Sequence, residues 1–228
     1  MNRSAAPLAG RLAAVAILTA WSAACRGHDP LLTPRPGDLE AVAPDSFDVR
    51  FESSRGPFVI RARREWSPLG VDRFYYLARH GFFDDERFFR VVGGFVAQWG
   101  LSGTPAVNAA WQGKNLPDEP VKASNTRGRV SFARGGPNTR SVQLYINLVD
   151  NVRLDTTGTF GFPPIGEVVE GMAAVDSFTF EYGGRRGERV PGPSQDSIRV
   201  QGNAYLLRSF PKLDYIRTAR VVRRWGDR

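Results

Sequence analysis

The chain has 228 residues, 42% hydrophobic and 11% aromatic, which is enough to bury a core in one domain and argues against an intrinsically disordered chain. A single cysteine excludes a disulfide scaffold within the chain, and with His28 and His80 as the two histidines we expect no cysteine or histidine metal site. The formal net charge of +8 raises nucleic acid as a candidate partner.

Residues 1–24 have the pattern of a secretory signal peptide. Arg3 and Arg11 precede an apolar run over residues 12–21, and small residues follow at 22–24. An apolar run of about 10 residues is too short to span a bilayer, which needs about 20. We therefore expect export, with cleavage before Cys25.

Cys25 has two interpretations. Residues 22–25, SAAC, resemble a bacterial lipobox, in which the cysteine becomes the lipidated first residue, although such boxes usually carry leucine in place of Ser22. Ordinary cleavage at the same bond would instead leave a free thiol in an oxidising compartment, which is a liability. We favour the lipoprotein, anchored by lipid to a membrane of the bacterial cell envelope on its periplasmic side.

The next segment, residues 25–44, contains four prolines and no hydrophobic period, as is typical of a semi-extended tether. The folded domain is predicted to cover residues 45–228. It opens with alternating apolar and polar residues, which predict a hairpin with strands at residues 46–52 and 58–63. Ser67 and Pro68 then predict a helix start, and Gly81 its end.

Short apolar runs separated by turn residues predict five further strands, at residues 88–92, 95–99, 129–133, 142–148 and 165–169. A second short helix is predicted over residues 171–178, and residues 182–193 read as a loop. Strand character resumes over residues 201–222, with the last strand at residues 215–222. Many short strands with few helices favour a closed barrel or a sandwich.

Two stretches resemble the cyclophilin family of peptidyl-prolyl isomerases. The first, FFRVVGGFVAQWG at residues 88–100, is similar to the family's F-x-R-V-I-x-G-F-M-x-Q-G-G. The second, GPNTRSVQLYI at residues 136–146, is similar to its G-P-N-T-x-x-S-Q-F-F-I. The resemblance extends over about residues 58–178 and implies a mainly β fold, a closed eight-stranded antiparallel β-barrel with two capping helices. Residues 182–210 form an insertion relative to minimal members, a candidate lid or partner surface.

Isomerisation of a proline peptide bond requires rotation over a barrier of about 18–20 kcal/mol between two isomers of similar energy. No nucleophile, cofactor or metal is needed, because the enzyme has only to hold the proline ring, exclude water and stabilise the twisted amide. The resemblance implies that Arg90 is catalytic, with Phe95 and Gln98 beside it. The substrate-binding residues that it implies are Val96, Ala133, Arg134, Gln143, Tyr145, Leu154 and Phe162.

Within that set, the resemblance places Phe95, Val96, Tyr145 and Leu154 around the proline ring. Ala133, Arg134 and Gln143 flank the residues before proline, and Phe162 completes an aromatic wall. The expected partners are therefore proline-containing peptides and unfolded exported proteins, bound by a monomer, with the membrane reached through the lipid anchor.

Two departures from the family pattern leave a second function class open. Pro163 and Pro164 interrupt an expected strand, and Arg153 occupies the position of a tryptophan associated with cyclosporin binding, so weak cyclosporin affinity is expected. The alternative to an active isomerase is a cyclophilin-like peptide-binding module or chaperone with little catalysis. Retention of Arg90 favours the isomerase.

The basic residues gather mainly outside the two motifs, at Arg185, Arg186, Arg189 and residues 217–228. A basic surface beside anionic lipid headgroups explains this distribution in an anchored protein. Nucleic acid is therefore not an expected partner.

Overall fold

The computed structural model describes residue 1 and residues 28–226. In this part of the chain the β-strands, in order, are β1 (Ser46–Ser53), β2 (Gly56–Arg63), β3 (Arg90–Val92), β4 (Val96–Trp99), β5 (Arg129–Phe132), β6 (Leu144–Asn147), β7 (Pro164–Glu170) and β8 (Ile216–Trp225). The helices are α1 (Pro36–Leu39), α2 (Pro68–Arg79), α3 (Pro105–Trp111), α4 (Met172–Asp176) and α5 (Gln195–Ser209). Each strand overlaps one predicted from the sequence, and α2 and α4 match the two predicted helices.

The fold is mainly β, and the strands form one eight-stranded sheet in the order β3-β4-β6-β5-β7-β2-β1-β8. Every neighbouring pair runs antiparallel. The sheet curls into a half-barrel, and the two edges, β3 and β8, are not paired as strands. The predicted closed barrel is therefore wrong in its closure, although the strand number is right.

The predicted insertion, residues 182–210, packs beside the end of β3. Its backbone hydrogen-bonds to the residue that follows β3: Gly93 N–H donates to the Gly184 carbonyl at 3.0 Å, and Arg186 N–H donates to the Gly93 carbonyl at 3.0 Å. The segments that precede β3 and β8 do meet, at an isolated bridge between Arg87 and Tyr215. The edge of β3 is thus capped by the insertion rather than by β8.

Aromatic side chains fill the inside of the curled sheet. Phe47 and Phe51 of β1 are fully buried, as the alternating pattern predicts, and Phe51 stacks on Phe58 of β2 with ring centroids 4.9 Å apart. Phe74 of α2 packs against Phe51, with ring centroids 6.4 Å apart, so the helix packs on the inner face of the sheet. On the other face of β1, Asp48 is also buried. Its ion pair with Arg61, at 2.8 Å, compensates for the buried charge.

Helix α2 begins at Pro68, as Ser67 and Pro68 predict, but a distant residue caps its N-terminus. The Glu119 carboxylate accepts from Leu69 N–H at 2.9 Å and from Gly70 N–H at 3.1 Å. The Ser67 hydroxyl donates to the same carboxylate instead of capping its own helix. The carboxylate satisfies amides that have no partner within the helix and is favoured by the helix dipole.

The prediction of strand structure from residue 201 is wrong as far as Ser209, because that stretch belongs to α5. The Ser194 hydroxyl caps α5 by accepting from Ser197 N–H at 3.3 Å, and the helix is kinked at Gly202. Helix α5 buries Ile198 and Leu206 in a small apolar cluster of its own, together with Phe89 and Leu101 from the sheet side. Tertiary packing therefore selects the helix.

The N-terminal segment that the sequence assigns to a tether packs against the domain from about Pro30 onwards. The Pro30 carbonyl accepts from the Tyr76 hydroxyl at 3.0 Å, and the Leu31 carbonyl accepts from Trp111 Nε1 at 3.1 Å. Ala43 is buried in the main core. Cys25 lies outside the described residues. No helix that the structure describes has the length and apolarity needed to cross a bilayer.

Candidate functional site

A tight hairpin brings the three residues expected to be catalytic to one place. Arg90 on β3 pairs with Gln98 on β4, and Gly94 turns the chain between them with φ of 76°. Only a residue that tolerates positive φ fits this turn easily. Arg90 is exposed at the groove, whereas Gln98 is buried beneath it. Phe95 follows the turn and is half-buried.

An apolar pocket opens beside this hairpin, with a cavity of about 320 Å³. Val96, Tyr145 and Leu154 are buried at its base. Its lining contains nine of the ten expected catalytic and binding residues together with Gln195: Arg90, Phe95, Val96, Gln98, Ala133, Arg134, Tyr145, Leu154 and Phe162. Gln143, the tenth, lines an adjoining cavity of about 400 Å³ that shares Gln98, Ala133 and Arg134 with the first. The structure thus brings the expected site together along one groove.

Tyr145 stands where the family usually has phenylalanine, and its hydroxyl has a partner. It donates to Asn125 Oδ1 at 3.1 Å, and Asn125 Nδ2 in turn donates to Asp155 Oδ1 at 2.8 Å. Burial raises the pKa of Tyr145, so the phenol is neutral in the folded protein. The ring therefore presents an apolar face to the pocket while its polar end is satisfied outside it.

A chain of side-chain amides supports Arg90. Arg90 Nη1 donates to Gln98 Oε1 at 3.2 Å, and Gln98 Nε2 donates to Gln143 Oε1 at 2.9 Å. Gln143 Nε2 then donates to Gln195 Oε1 at 2.9 Å. Although Arg90 is exposed at the groove, partial desolvation of its guanidinium lowers its pKa. The guanidinium lines the apolar pocket. The chain holds the guanidinium from one side and leaves it free to donate on the other.

Arg134 plays a different part from Arg90. Its guanidinium pairs with Asp118 at 3.2 Å and donates to the Gly161 carbonyl at 2.7 Å, and its side chain is 5% exposed. It also lies over the Phe162 ring, 5.0 Å from the centroid. Arg134 therefore builds the pocket wall by fixing the segment that carries Phe162.

The two consecutive prolines leave this wall intact. Pro164 is the first residue of β7, a position where a strand tolerates the missing N–H. Phe162 remains against Tyr145, with ring centroids 6.1 Å apart, and its N–H donates to the Leu154 carbonyl at 2.9 Å.

Two parts of the groove were missed by sequence reasoning, and both come from the insertion. Gln195 at the start of α5 lines the pocket, and Arg186 lies over the Phe95 ring at 5.8 Å from its centroid. Neither belongs to a motif. A signal was present in the arginine-rich composition of residues 182–193, but it was assigned to a lipid-facing surface.

The described ranges, residue 1 and residues 28–226, contain no group of three or more His, Cys, Asp or Glu side chains placed to hold a metal ion.

Comparison with known proteins extends the likeness over most of the chain. The family model described as cyclophilin type peptidyl-prolyl cis-trans isomerase/CLD matches residues 47–194. Peptidyl-prolyl cis-trans isomerase B of Escherichia coli strain K12 is 32% identical over 161 residues, which is 66% of this chain and 94% of that protein. The human peptidyl-prolyl cis-trans isomerase-like 1 is 29% identical over 144 residues, 60% of this chain and 84% of that protein.

Solved structures show the same fold. A crystal structure of a cyclophilin type isomerase from Cryptosporidium parvum superimposes with a TM-score of 0.56 at 17% identity, covering 78% of this chain and 98% of that one. A second structure of that protein, in the presence of the dipeptide Ala-Pro, gives a TM-score of 0.55, covering 77% and 99%.

The chain belongs to the cyclophilin-type peptidyl-prolyl cis-trans isomerase family. It is accordingly an enzyme of the class EC 5.2.1.8.

Proposed function

We propose that the protein isomerises X–Pro bonds of exported proteins, with Arg90 as the catalytic residue. The observation that supports this most directly is the position of Arg90 at the mouth of the apolar pocket, held by Gln98 at 3.2 Å. Arginine suits the task because its guanidinium is charged at all relevant pH values and offers several donors in a fixed plane.

In the proposed mechanism the proline ring enters the apolar pocket and the residues before it lie along Ala133 and Gln143. Arg90 donates to the prolyl carbonyl and to the nitrogen as it becomes pyramidal, which weakens the amide resonance that opposes rotation. Stabilising the twisted amide by about 4 kcal/mol accelerates rotation about a thousandfold. The reaction transfers no group and no electron, so these side chains suffice for it.

Exchange NMR on a short proline peptide tests this mechanism. We expect Arg90→Ala to lower kcat/KM about a hundredfold, the effect of removing one preorganised donor. Arg50→Ala is a matched control, because Arg50 is an exposed arginine on β1 whose partner is Glu52. Equal exchange rates for wild type and Arg90→Ala would rule out the catalytic assignment. Peptide binding without accelerated exchange by the wild type would favour the alternative, a peptide-binding module.

We also propose that the protein is a lipid-anchored monomer on the periplasmic side of a bacterial membrane. The support is the signal-like sequence of residues 1–24 followed by Cys25. The groove is complete within one chain, which is consistent with a monomer. Mass spectrometry of the membrane fraction should find acylated Cys25, and Cys25→Ser should release the protein. A soluble, unmodified wild-type product would refute the anchor.

A further inference from the structure

A third cavity, of about 520 Å³, adjoins the proline pocket and shares Arg90, Phe95 and Gln195 with it. One wall comes from Arg153, in the short helix after β6, and the other comes from residues 182–193 of the insertion. It meets the proline pocket at Arg90 and Phe95, whereas the cavity that contains Gln143 meets that pocket at Gln98, Ala133 and Arg134; Gln195 lines all three. The groove therefore continues past the proline position in the direction opposite to the residues that precede proline.

This third cavity, the arginine pocket, is strongly basic. Its lining contains five arginines, Arg90, Arg153, Arg185, Arg186 and Arg189. Its single carboxylate belongs to Glu188, and Glu188 Oε2 accepts from the Arg185 backbone N–H at 2.7 Å. Among the described residues, no carboxylate lies within ion-pairing distance of any of the five guanidinium groups.

Three of these cations converge on one ring. Arg90, Arg153 and Arg186 each lie 5.8 Å from the centroid of Phe95. These side chains are exposed, so solvent screens their repulsion, but together they give the pocket a positive potential that favours a bound anion. Planar guanidinium groups also match the geometry of a carboxylate, which they can bind through two parallel hydrogen bonds.

Two hydrogen bonds hold the backbone at Arg186 beside the end of β3. The Arg186 N–H donates to the Gly93 carbonyl, and Gly184 on the same loop accepts from Gly93 N–H. Gly183 permits the approach, because a Cβ there would lie 1.9 Å from the Val91 carbonyl oxygen. Residues 183–186 thus lie against the end of β3, and the exposed side chain of Arg186 extends over the Phe95 ring.

We propose that the arginine pocket binds an acidic side chain on the residue that follows proline, so that X–Pro–Asp and X–Pro–Glu segments are preferred substrates. The inference rests on the proposed function, which places the residues before proline on the Ala133 side. An extended chain advances about 3.3 Å per residue, so the side chain next to the proline is the first to reach past Phe95.

Matched peptides that differ at one position test the preference. Binding is measured by NMR titration of peptides with Glu, Gln or Lys after proline, and of one with Glu before it. We expect wild type to bind the peptide with Glu after proline about tenfold more tightly than the Gln peptide, the effect of one charge-assisted hydrogen-bonded pair. The Lys peptide should bind most weakly, and the Glu preference should shrink with added salt.

Substitutions assign the effect to the pocket. The double variant Arg153→Gln with Arg186→Gln should bind the Glu and Gln peptides equally. Arg208→Gln is the control, since Arg208 is an exposed arginine of the same insertion that contacts Gln201 outside the pocket. Thermal unfolding confirms that each variant is folded. A wild type that binds the two peptides equally, or a double variant that weakens both by the same factor, would overturn the proposal.

Two further results distinguish the acidic specificity from the isomerase activity. Accelerated exchange with no preference among the peptides would leave the isomerase standing and refute the acidic specificity. A Glu preference in binding with no accelerated exchange would support the pocket and refute catalysis. Vesicles with an anionic phospholipid provide the last arm. Arg186-dependent vesicle binding without peptide discrimination would show that the pocket serves a lipid headgroup and would overturn the proposal.

Discussion

The two arginines that line the apolar pocket, Arg90 and Arg134, show that hydrogen-bond partners decide the role of a side chain. Arg134 uses its donors on Asp118 and on the Gly161 carbonyl, so it holds the protein together. Arg90 has one amide partner, Gln98, and keeps its other donors available at the groove. The family resemblance points to both positions, but it does not distinguish the arginine that builds the pocket wall from the arginine that we propose to be catalytic.

At the residue scale, Gln195 should tune Arg90 through the amide chain. We expect Gln195→Ala to lower kcat/KM about fivefold, because it removes one neutral hydrogen bond worth about 1 kcal/mol. Exchange NMR measures kcat and KM separately. Gln195→Glu should restore the rate, since a carboxylate also accepts from Gln143 Nε2. Asp196→Ala, on the same helical turn, is the control. If Glu fails to rescue while Ala lowers the rate, the acceptor role is wrong.

At the element scale, the insertion acts as the missing neighbour of β3. It bonds to Gly93 and packs α5 on Phe89 and Leu101, so the edge of the sheet and one end of the groove share their support. Part of the predicted insertion is a loop, as the sequence indicates, and part is α5, which the sequence does not indicate. This element supplies Gln195 and three of the five arginines of the arginine pocket, Arg185, Arg186 and Arg189.

Gly183→Ala tests that coupling. The new Cβ would meet the Val91 carbonyl, and backbone cannot yield to it, so we expect the loop to shift away from β3. The cost should be about 1–3 kcal/mol in the free energy of unfolding, measured by urea denaturation. Gly37→Ala, where a Cβ meets nothing within 4 Å, should have little effect. Equal losses in the two variants would contradict the proposed contact.

At the scale of the whole molecule, the segments that precede β3 and β8 meet around a buried carboxyl group, that of Glu86. Glu86 is fully buried, and its carbonyl accepts from Ile216 N–H at 2.8 Å, between the segments that lead into β3 and β8. Neither carboxyl oxygen of Glu86 has a hydrogen-bond partner among the described residues, and burial raises the pKa of Glu86 well above its ordinary value.

This shift predicts how stability depends on pH. The folded state binds the Glu86 proton more tightly than the unfolded state, whose carboxyl ionises near pH 4.5. The free energy of unfolding should therefore fall as pH rises from that value, by at most about 1.4 kcal/mol per unit for this one group, until pH passes the folded-state pKa. Glu86→Gln should flatten this part of the profile, measured by urea denaturation at a series of pH values. Parallel profiles for the two proteins would contradict the prediction.

The predictable part of the fold depends on local patterns. Alternation identifies β1 and β2, and Pro68 with Gly81 brackets α2, because these signals act within a few residues. Helices α3 and α5 escape prediction, since their apolar residues find partners only in the folded chain. Ile198, for example, is buried by residues more than 90 positions away, among them Phe89.

By itself the sequence determined the family, because two motifs occur in a fixed order, and the eight strands, because alternation and turn residues are local signals. It also predicted ten residues that the structure brings together along one groove. The tertiary structure alone decided that the barrel stays open, that Glu119 caps α2 and that Gln195 and Arg186 reach the groove. Each of these depends on contacts between residues distant in the chain. Such contacts exist only in the folded chain, so no local pattern encodes them.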